Sequence, residues 1–194
     1  MSSIKQSLML AVVLLTGCVS YSQNQLPPVQ TWPPTANAPL KKPTVYVRTT
    51  AMGQVNGGPA NPAVGRAATV AQAEIVDGFR QSGRFAQVNT DRVDSDIYAE
   101  ATLYNDEQFS MASAIITGAT FFIIPTTAKN TFTLETVFKD PHGKELGRVR
   151  KSESVRSWMQ VLLIVAVPFN QDTREIVRAL TQSTMEEAVQ RGLL

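Results

Sequence analysis

The sequence contains very little of the chemistry on which enzymes and metal proteins depend. It has one histidine, His142, and one cysteine, Cys18. A single cysteine cannot form a disulfide within the chain, and one histidine with one cysteine cannot supply the usual zinc ligand sets. The chain also lacks a Gly-x-Ser-x-Gly nucleophile elbow, a Walker loop and a dinucleotide fingerprint. We therefore expect no catalytic residues, no metal site and no cofactor, and a protein that is not an enzyme.

The charge is nearly balanced, with 18 Lys and Arg against 16 Asp and Glu and a net charge of +2. This balance gives no electrostatic reason to expect nucleic acid as a partner. Two pairs of nearby acids, Asp94 with Asp96 and Asp106 with Glu107, fall at predicted strand ends, where acids more often keep the chain soluble than form a catalytic dyad. His142 falls in a predicted turn, and we expect it to be solvated.

The amino terminus has the three parts of a secretory signal. Lys5 supplies a basic region, and the apolar run at residues 8–15 is long enough for a signal core but too short to cross a bilayer. The run ends in Leu-Thr-Gly-Cys at residues 15–18, which resembles the lipobox of bacterial lipoproteins. This resemblance implies that residues 1–17 are removed and that Cys18 carries diacylglycerol and palmitate. The alternative is an ordinary secreted protein with a free thiol.

Lipid on Cys18 would anchor the protein to a membrane. Each buried methylene contributes about 0.8 kcal/mol, and one acyl chain alone binds only marginally. Bacterial lipoproteins carry two or three chains, so the resemblance implies a lasting anchor. Residue 19 is Val and not Asp, which by the sorting rule of enteric bacteria favours the periplasmic face of the outer membrane. The inner membrane is the alternative.

Residues 18–43 are predicted to be the lipidated cysteine and a proline-rich tether. Six of the eleven prolines fall between Val19 and Pro43. Because proline lacks an N–H and has a fixed φ, we expect this stretch to form neither a ladder nor a helix, and to hold the domain away from the bilayer. Trp32 would either dock on the domain or lie among the headgroups. Residues 44–194 are expected to form one α/β periplasmic domain.

Alternating hydrophobicity and turn signals predict the order β-α-β-β, then a β-hairpin and a last helix. The first helix is expected to start at the N-cap and proline pair Asn61-Pro62, with Val64 in its apolar stripe. The last helix is expected to open at Asp172, with Glu175 as its capping partner. The expected fold is α/β (α+β), a mixed sheet of about five strands with two packing helices. The strands are predicted at residues 44–48, 85–88, 96–104, 131–138 and 144–155.

Part of this pattern resembles the amino-terminal domain of TolB. Residues 75–85 read Ile-Val-Asp-Gly-Phe-Arg-Gln-Ser-Gly-Arg-Phe and are followed by Asp-Ile-Tyr at residues 96–98. They are similar to the helix, Ser-Gly-x-Phe turn and strands of that domain. The same plan serves the lipoprotein activators of cell-wall synthases. The resemblance covers about half of the mature chain and implies an α/β fold, but two apolar insertions depart from it, so no partner is implied.

Those insertions are two uncharged apolar segments, residues 111–125 and 158–169. Neither suits a lone transmembrane helix, since the first is rich in Ser, Thr and Gly and the second is shorter than about 17 residues. Antiparallel strand pairing would bring both to one end of the sheet. We expect an exposed apolar surface there, with burial in the core as the alternative. The predicted membrane or partner contacts are Ile115, Ile116, Phe121, Phe122, Ile123, Ile124, Trp158, Leu162, Leu163, Ile164 and Phe169.

These features favour a non-enzymatic, membrane-anchored envelope lipoprotein that acts as an accessory or assembly module. Its apolar end would contact the membrane, a protein partner or other copies of itself, and basic residues near the strand ends suit such an interface. The alternative is a soluble periplasmic regulator on a tether that binds an envelope enzyme. An envelope hydrolase, dependent on His142, is a third and weaker hypothesis. The basic residues concerned are Lys129, Arg150, Lys151 and Arg156.

Overall fold

The computed structural model describes residues 17–35, 41–160 and 172–194. These residues form a mixed α+β fold with a seven-stranded open sheet and three helices. The strands are β1 (Gly17–Ser22), β2 (Thr44–Val55), β3 (Asn61–Pro62), β4 (Gln87–Asn89), β5 (Ile97–Phe109), β6 (Thr126–Lys139) and β7 (Glu145–Gln160). The helices are α1 (Arg66–Gln81), α2 (Met111–Ala119) and α3 (Thr173–Gln190).

The sheet runs in the order β1-β7-β6-β5-β2-β3, and β4 also pairs with β2. The β2–β5 and β2–β4 pairs are parallel, and the others are antiparallel. Helices α1 and α3 pack on each other and on one face of the sheet. The opposite face of β5, β6 and β7 carries mostly polar side chains and is covered by neither of these two helices.

The core lies between the sheet and the two packed helices. In β5 the alternation of apolar and polar residues matches the burial, since every second residue from Ile97 to Leu103 is buried. Phe79 of α1, Leu134 and Phe138 of β6 and Leu180 of α3 are fully buried in the same cluster. Each such side chain contributes about 1.5–3 kcal/mol of transfer free energy, so this cluster is the main source of stability.

Helices α1 and α3 approach closely where Gly78 faces Thr181. A Cβ atom built on Gly78 would lie 2.5 Å from Cγ2 of Thr181. The Thr181 hydroxyl donates to the carbonyl oxygen of Val177 at 2.8 Å within its own helix. Glycine at residue 78 therefore sets the spacing between the two helices.

The predicted start of the first helix is wrong. Asn61 and Pro62 form β3, paired with Met52 and Gly53, and the helix begins four residues later at Arg66. The Asn61 side chain donates to the carbonyl oxygen of Pro59 at 2.9 Å, so it does not cap a helix. A proline is tolerated here because β3 is an edge strand. Val64, expected in the apolar stripe, is 88% exposed.

The last helix begins as predicted. The carboxylate of Asp172 accepts a hydrogen bond from the backbone N–H of Arg174 at 3.0 Å, and Glu175 lies in the first turn. Negative charge at this end is favourable because the helix dipole is positive there. Its inner side, at helical spacing, is buried and includes Ile176, Val177, Leu180, Thr184 and Ala188.

The prediction that no residue of the tether joins a ladder is wrong for its first part. Gly17–Ser22 form β1, which pairs with the last six residues of β7, Val155 to Gln160. The prolines begin only at Pro27, so nothing in residues 19–22 prevents a ladder, and Val19 to Ser22 alternate between apolar and polar residues as in a strand with one buried face. The chain then continues as an arm along the domain, residues 23–35, in which Leu26 and Trp32 pack against the core.

Candidate functional site

The connection between β5 and β6 presents a set of apolar side chains to solvent. Ser110 caps α2 by accepting a hydrogen bond from the N–H of Ser113 at 3.2 Å. Within the helix only Thr117 is buried, and Phe122 in the following turn is half-buried. The apolar side chains are therefore not part of the core. The exposed ones are Met111, Ile115, Ile116, Phe121, Ile123 and Ile124.

Two bulky residues end α2 in a backbone conformation that normally belongs to glycine. Phe121 and Phe122 have φ angles of 51° and 62°. The N–H of Phe122 donates to the carbonyl oxygen of Thr117 at 2.8 Å, which stops the helix. A side chain in this region costs about 1–2 kcal/mol, and such costs concentrate at functional sites. The turn nevertheless leaves the Phe121 ring 72% exposed.

The second apolar segment begins at the same end of the sheet, as predicted from the strand order. Trp158 lies opposite Thr127 and Met159 opposite Thr126, at the base of α2. A hydrogen bond of 2.8 Å between the hydroxyls of Ser113 and Thr126 joins α2 to β6 at this point. We call the exposed residues of this end the apolar pole: Met111, Ile115, Ile116, Phe121, Ile123, Ile124 and Trp158. Four predicted contacts, Leu162, Leu163, Ile164 and Phe169, lie outside the described residues.

The predicted lipidation residue also lies at this end. In the β1–β7 ladder Cys18 is opposite Met159 and Gly17 is opposite Gln160. The strand therefore starts beside the apolar pole and runs away from it. Sequence analysis placed a spacer after Cys18 and missed this contact. The signal that could have revealed it is the short alternation at residues 19–22.

A buried carboxylate fastens the arm to the domain. Glu153 of β7 is 5% exposed. Its Oε1 accepts hydrogen bonds from the Ser22 hydroxyl at 2.9 Å and the Gln25 N–H at 3.3 Å, and its Oε2 accepts one from the Leu26 N–H at 2.8 Å. Charged acceptors form strong hydrogen bonds, so Glu153 holds the chain just after β1 against the sheet. Sequence analysis did not single out this residue.

The basic residues predicted near an interface divide into two pairs. Lys129 and Arg156 are register partners close to the apolar pole. Arg150 lies further along β7 with its guanidinium 3.9 Å from Glu135, and Lys151 forms an ion pair of 2.7 Å with Glu187 of α3. Arg150 and Lys151 are therefore engaged within the domain, away from the pole.

Asp96 and His142, which we did not expect to be catalytic, lie at a strand start and in a turn, respectively. Asp96 accepts hydrogen bonds from the backbone N–H and the hydroxyl of Thr44, both at 2.8 Å, and these bonds hold the pKa of Asp96 below its usual value. They tie the start of β2 to the start of β5. His142 is exposed in the turn between β6 and β7.

Within the described ranges, no three His, Cys, Asp or Glu side chains lie where they could jointly hold a metal ion. None of the helices in those ranges combines the length and the apolar character needed to cross a membrane.

Comparison with known proteins gives only remote structural similarities. No protein-family model matches the sequence, and no curated protein matches it. A DUF330 family protein from Xanthomonas campestris has a TM-score of 0.45 and 11% identity, covering 89% of this chain and 95% of its own. A DUF4136 family protein from Bacteroides thetaiotaomicron has a TM-score of 0.32 and 12% identity, covering 92% and 96%. The PelC dodecamer from Paraburkholderia phytofirmans has a TM-score of 0.35 and 9% identity, covering 88% and 95%.

Proposed function

We propose that this chain is a non-enzymatic, lipid-anchored protein of the bacterial envelope, an accessory module whose apolar pole rests on the membrane that holds its lipid. The observation that carries the proposal is the β1–β7 register, in which Cys18 lies opposite Met159 beside the apolar pole. Lipid on Cys18 would then enter the bilayer at the same end of the domain where apolar side chains face solvent.

The absence of a free spacer after Cys18 supports this arrangement. Residues 17–22 are in the sheet, and Glu153 holds residues 22–26 against β7. A regulator that worked at a distance from the membrane would need a flexible tether at this position. With β1 in place, the anchor and the domain surface are instead neighbours, so we favour contact between the pole and the bilayer.

The chemistry of the pole also supports contact with lipid. Its exposed side chains are aliphatic or aromatic, and burial of apolar surface contributes about 25 cal/mol per Å². Trp158 suits the interface between headgroups and acyl chains, because its ring is apolar and its N–H can remain hydrated. An acyl anchor and an apolar surface on the same end would act together, since the anchor makes the second contact intramolecular.

Lipidation is tested by labelling cells that express the full chain with a palmitate analogue. The wild-type protein should incorporate the label and should require detergent for extraction. The variant Cys18→Ser should incorporate none. Equal labelling of the two proteins would place the lipid elsewhere and contradict the proposal.

Contact of the pole with the bilayer is tested by photolabelling from the lipid phase. The purified lipidated chain would be placed in nanodiscs with a diazirine phospholipid, and labelled peptides would be identified by mass spectrometry. We expect label in residues 111–125. The variant Ile123→Asp should lower it severalfold, since burial of a carboxylate in lipid is costly.

Leu146→Asp is the matched control, because Leu146 is also exposed but lies at the opposite end of β7. This variant should leave the labelling of residues 111–125 unchanged. Absence of label from this segment in the wild-type protein would contradict docking, whatever the state of Cys18.

A further inference from the structure

A row of polar side chains crosses the uncovered face of the sheet next to the apolar pole. Gln108 of β5 lies opposite Lys129 of β6, and Lys129 lies opposite Arg156 of β7. Arg156 in turn lies opposite Tyr21 of β1. Partners in register point to the same face of a sheet, so the ammonium of Lys129 and the guanidinium of Arg156 share one small area.

These two cations are not neutralised within the described part of the chain. Neither forms a hydrogen bond or an ion pair with a described residue. Asp106, two residues from Gln108 on the same face of β5, accepts a hydrogen bond from the Gln108 amide at 2.9 Å. Like charges directly opposite each other destabilise a strand pair. The arrangement therefore becomes favourable when an anion lies between them.

The other basic residues that β6 and β7 carry on the same face are paired. Lys139 binds Glu100 at 2.6 Å, and Arg148 binds Glu135 at 2.9 Å. The guanidinium of Arg150 is 3.9 Å from the same Glu135. On these two strands, unpaired positive charge is thus confined to the end that carries the pole. Arg48 of β2, on the same face, lies opposite Glu100 and away from the pole.

Lys129 and Arg156 line a shallow depression of about 690 Å³. Its other walls are the end of β5 at Gln108 and Phe109, the first turn of α2 at Ser110 and Ser113, and Asn56. The first turn of α2 contains no acidic residue. The depression adjoins the apolar pole, since residues of α2 belong to both. Trp158, two residues from Arg156, lies on the same face and belongs to the pole.

We propose that Lys129 and Arg156 bind the phosphate of an anionic phospholipid in the membrane on which the pole rests. This inference depends on the proposed function, since it assigns a headgroup site to the docked surface. Charge complementarity and position favour a membrane lipid as the occupant. The acyl chains would lie along the apolar side chains, while the phosphate reached the two cations. Lys and Arg both bind phosphate, Arg through two parallel hydrogen bonds and Lys as a point charge.

The test uses the full lipidated chain with Trp32→Phe, so that Trp158 is the remaining tryptophan. Nanodiscs would contain brominated phosphatidylcholine alone or with phosphatidylglycerol, and quenching of Trp158 would report the docked fraction. Phosphatidylglycerol should raise the docked-to-undocked ratio by about fivefold for each basic side chain engaged. The double variant Lys129→Gln/Arg156→Gln should lose this increase and keep the docking seen in phosphatidylcholine alone.

Lys144→Gln/Arg150→Gln is the matched control, because it removes the same two charges far from the pole. It should respond to phosphatidylglycerol as the wild-type protein does. An equal response from all three proteins would overturn the headgroup site and leave docking intact. No quenching of Trp158 in any lipid would instead overturn the proposed function.

A final arm separates a lipid phosphate from a free one. Inorganic phosphate is added at the same ionic strength as a chloride control. The increase in Trp158 quenching caused by phosphatidylglycerol should be reduced by the same factor in phosphate and in chloride. Selective loss in phosphate would assign the site to free phosphate and overturn the lipid assignment.

Discussion

Cys18 and Met159 face each other in the ladder between β1 and β7. Met159 is also the register partner of Thr126 in β6, and the Thr126 hydroxyl contacts Ser113 of α2. Three neighbouring strands thus connect the predicted lipidation residue to the helix that carries most of the apolar pole. The position of the predicted lipidation residue relative to the pole is therefore fixed by backbone hydrogen bonds and not by a linker.

Replacement of Glu153 by Gln should loosen the arm. One carboxylate oxygen becomes an amide that donates, and it then faces N–H donors of residues 25 and 26. An unsatisfied buried group costs about 1–3 kcal/mol, so hydrogen exchange at Gln25 and Leu26 should accelerate about 5- to 150-fold. Exchange would be followed by mass spectrometry on the full chain.

The control for this experiment is Glu135→Gln, which removes a carboxylate from the neighbouring strand without touching the arm. Its exchange at residues 25 and 26 should equal that of the wild-type protein. Unchanged exchange in Glu153→Gln would mean that apolar packing of Leu26 and Trp32 alone holds the arm.

Replacement of Gly78 by Ala should destabilise the domain, although alanine is the better helix former. The new methyl would lie 2.5 Å from Cγ2 of Thr181. Overpacking of this kind costs about 1–3 kcal/mol. The double variant Gly78→Ala/Thr181→Ser removes the Cγ2 methyl of residue 181 and keeps its hydroxyl. It should recover most of the lost free energy of unfolding in denaturant titrations. No recovery would place the cause of destabilisation elsewhere.

Phe121→Gly should raise stability and weaken docking at once. Glycine accepts the positive φ of residue 121 without strain, so the free energy of unfolding should rise by up to about 1 kcal/mol. Loss of the exposed ring should lower photolabelling of residues 111–125 from the lipid phase. Phe121→Ala is the control: it removes the ring and keeps the strain, so docking should fall without a gain in stability. Unaltered labelling in both variants would exclude Phe121 from the contact.

The domain should lose part of its stability in acid through Asp96. Hydrogen bonds from Thr44 hold the pKa of Asp96 below the value of 3.8 expected for a free carboxyl. The stabilisation is therefore complete above that value and is lost as the pH falls through the lower pKa of the folded state. Between about pH 5 and pH 2, the midpoint temperature of thermal unfolding should fall less for Asp96→Asn than for the wild-type protein. Parallel acid profiles would contradict this role.

Local sequence patterns correctly predicted the features that depend only on residues close together in the chain. The alternation of β5, the turn at Asp140 and the cap at Asp172 each follow from a few adjacent residues, and the structure confirms them. The site at the apolar pole depends on longer-range pairing. Its position at one end of the sheet was predicted from strand order and is confirmed for the described residues. The expected exposure of its first segment is found for Ile115, Ile116, Phe121, Ile123 and Ile124, whereas Phe122 is half-buried.

What sequence analysis missed involves partners far apart in the chain. Ser20 pairs with Ser157 across more than 130 residues, and no local pattern indicates which edge of the sheet is free to accept a strand. The prolines from Pro27 onward dominated the composition of residues 18–43, and the alternation of apolar and polar residues at positions 19–22 was therefore overlooked. Asn61-Pro62 has the composition of a helix start, but residue 63 donates to the carbonyl oxygen of Ala51 and so continues a ladder.

Quenching of Trp158 by brominated phospholipid is the most direct test of the central claim that the apolar pole rests on the membrane. The lipidated chain with Trp32→Phe would be compared in nanodiscs of brominated and ordinary phosphatidylcholine. If the pole rests on the membrane, bromine near the glycerol end of the acyl chains should quench most of the Trp158 emission. Equal emission in the two lipids, from a protein held in the nanodisc through Cys18, would show that the pole faces water and does not contact the bilayer.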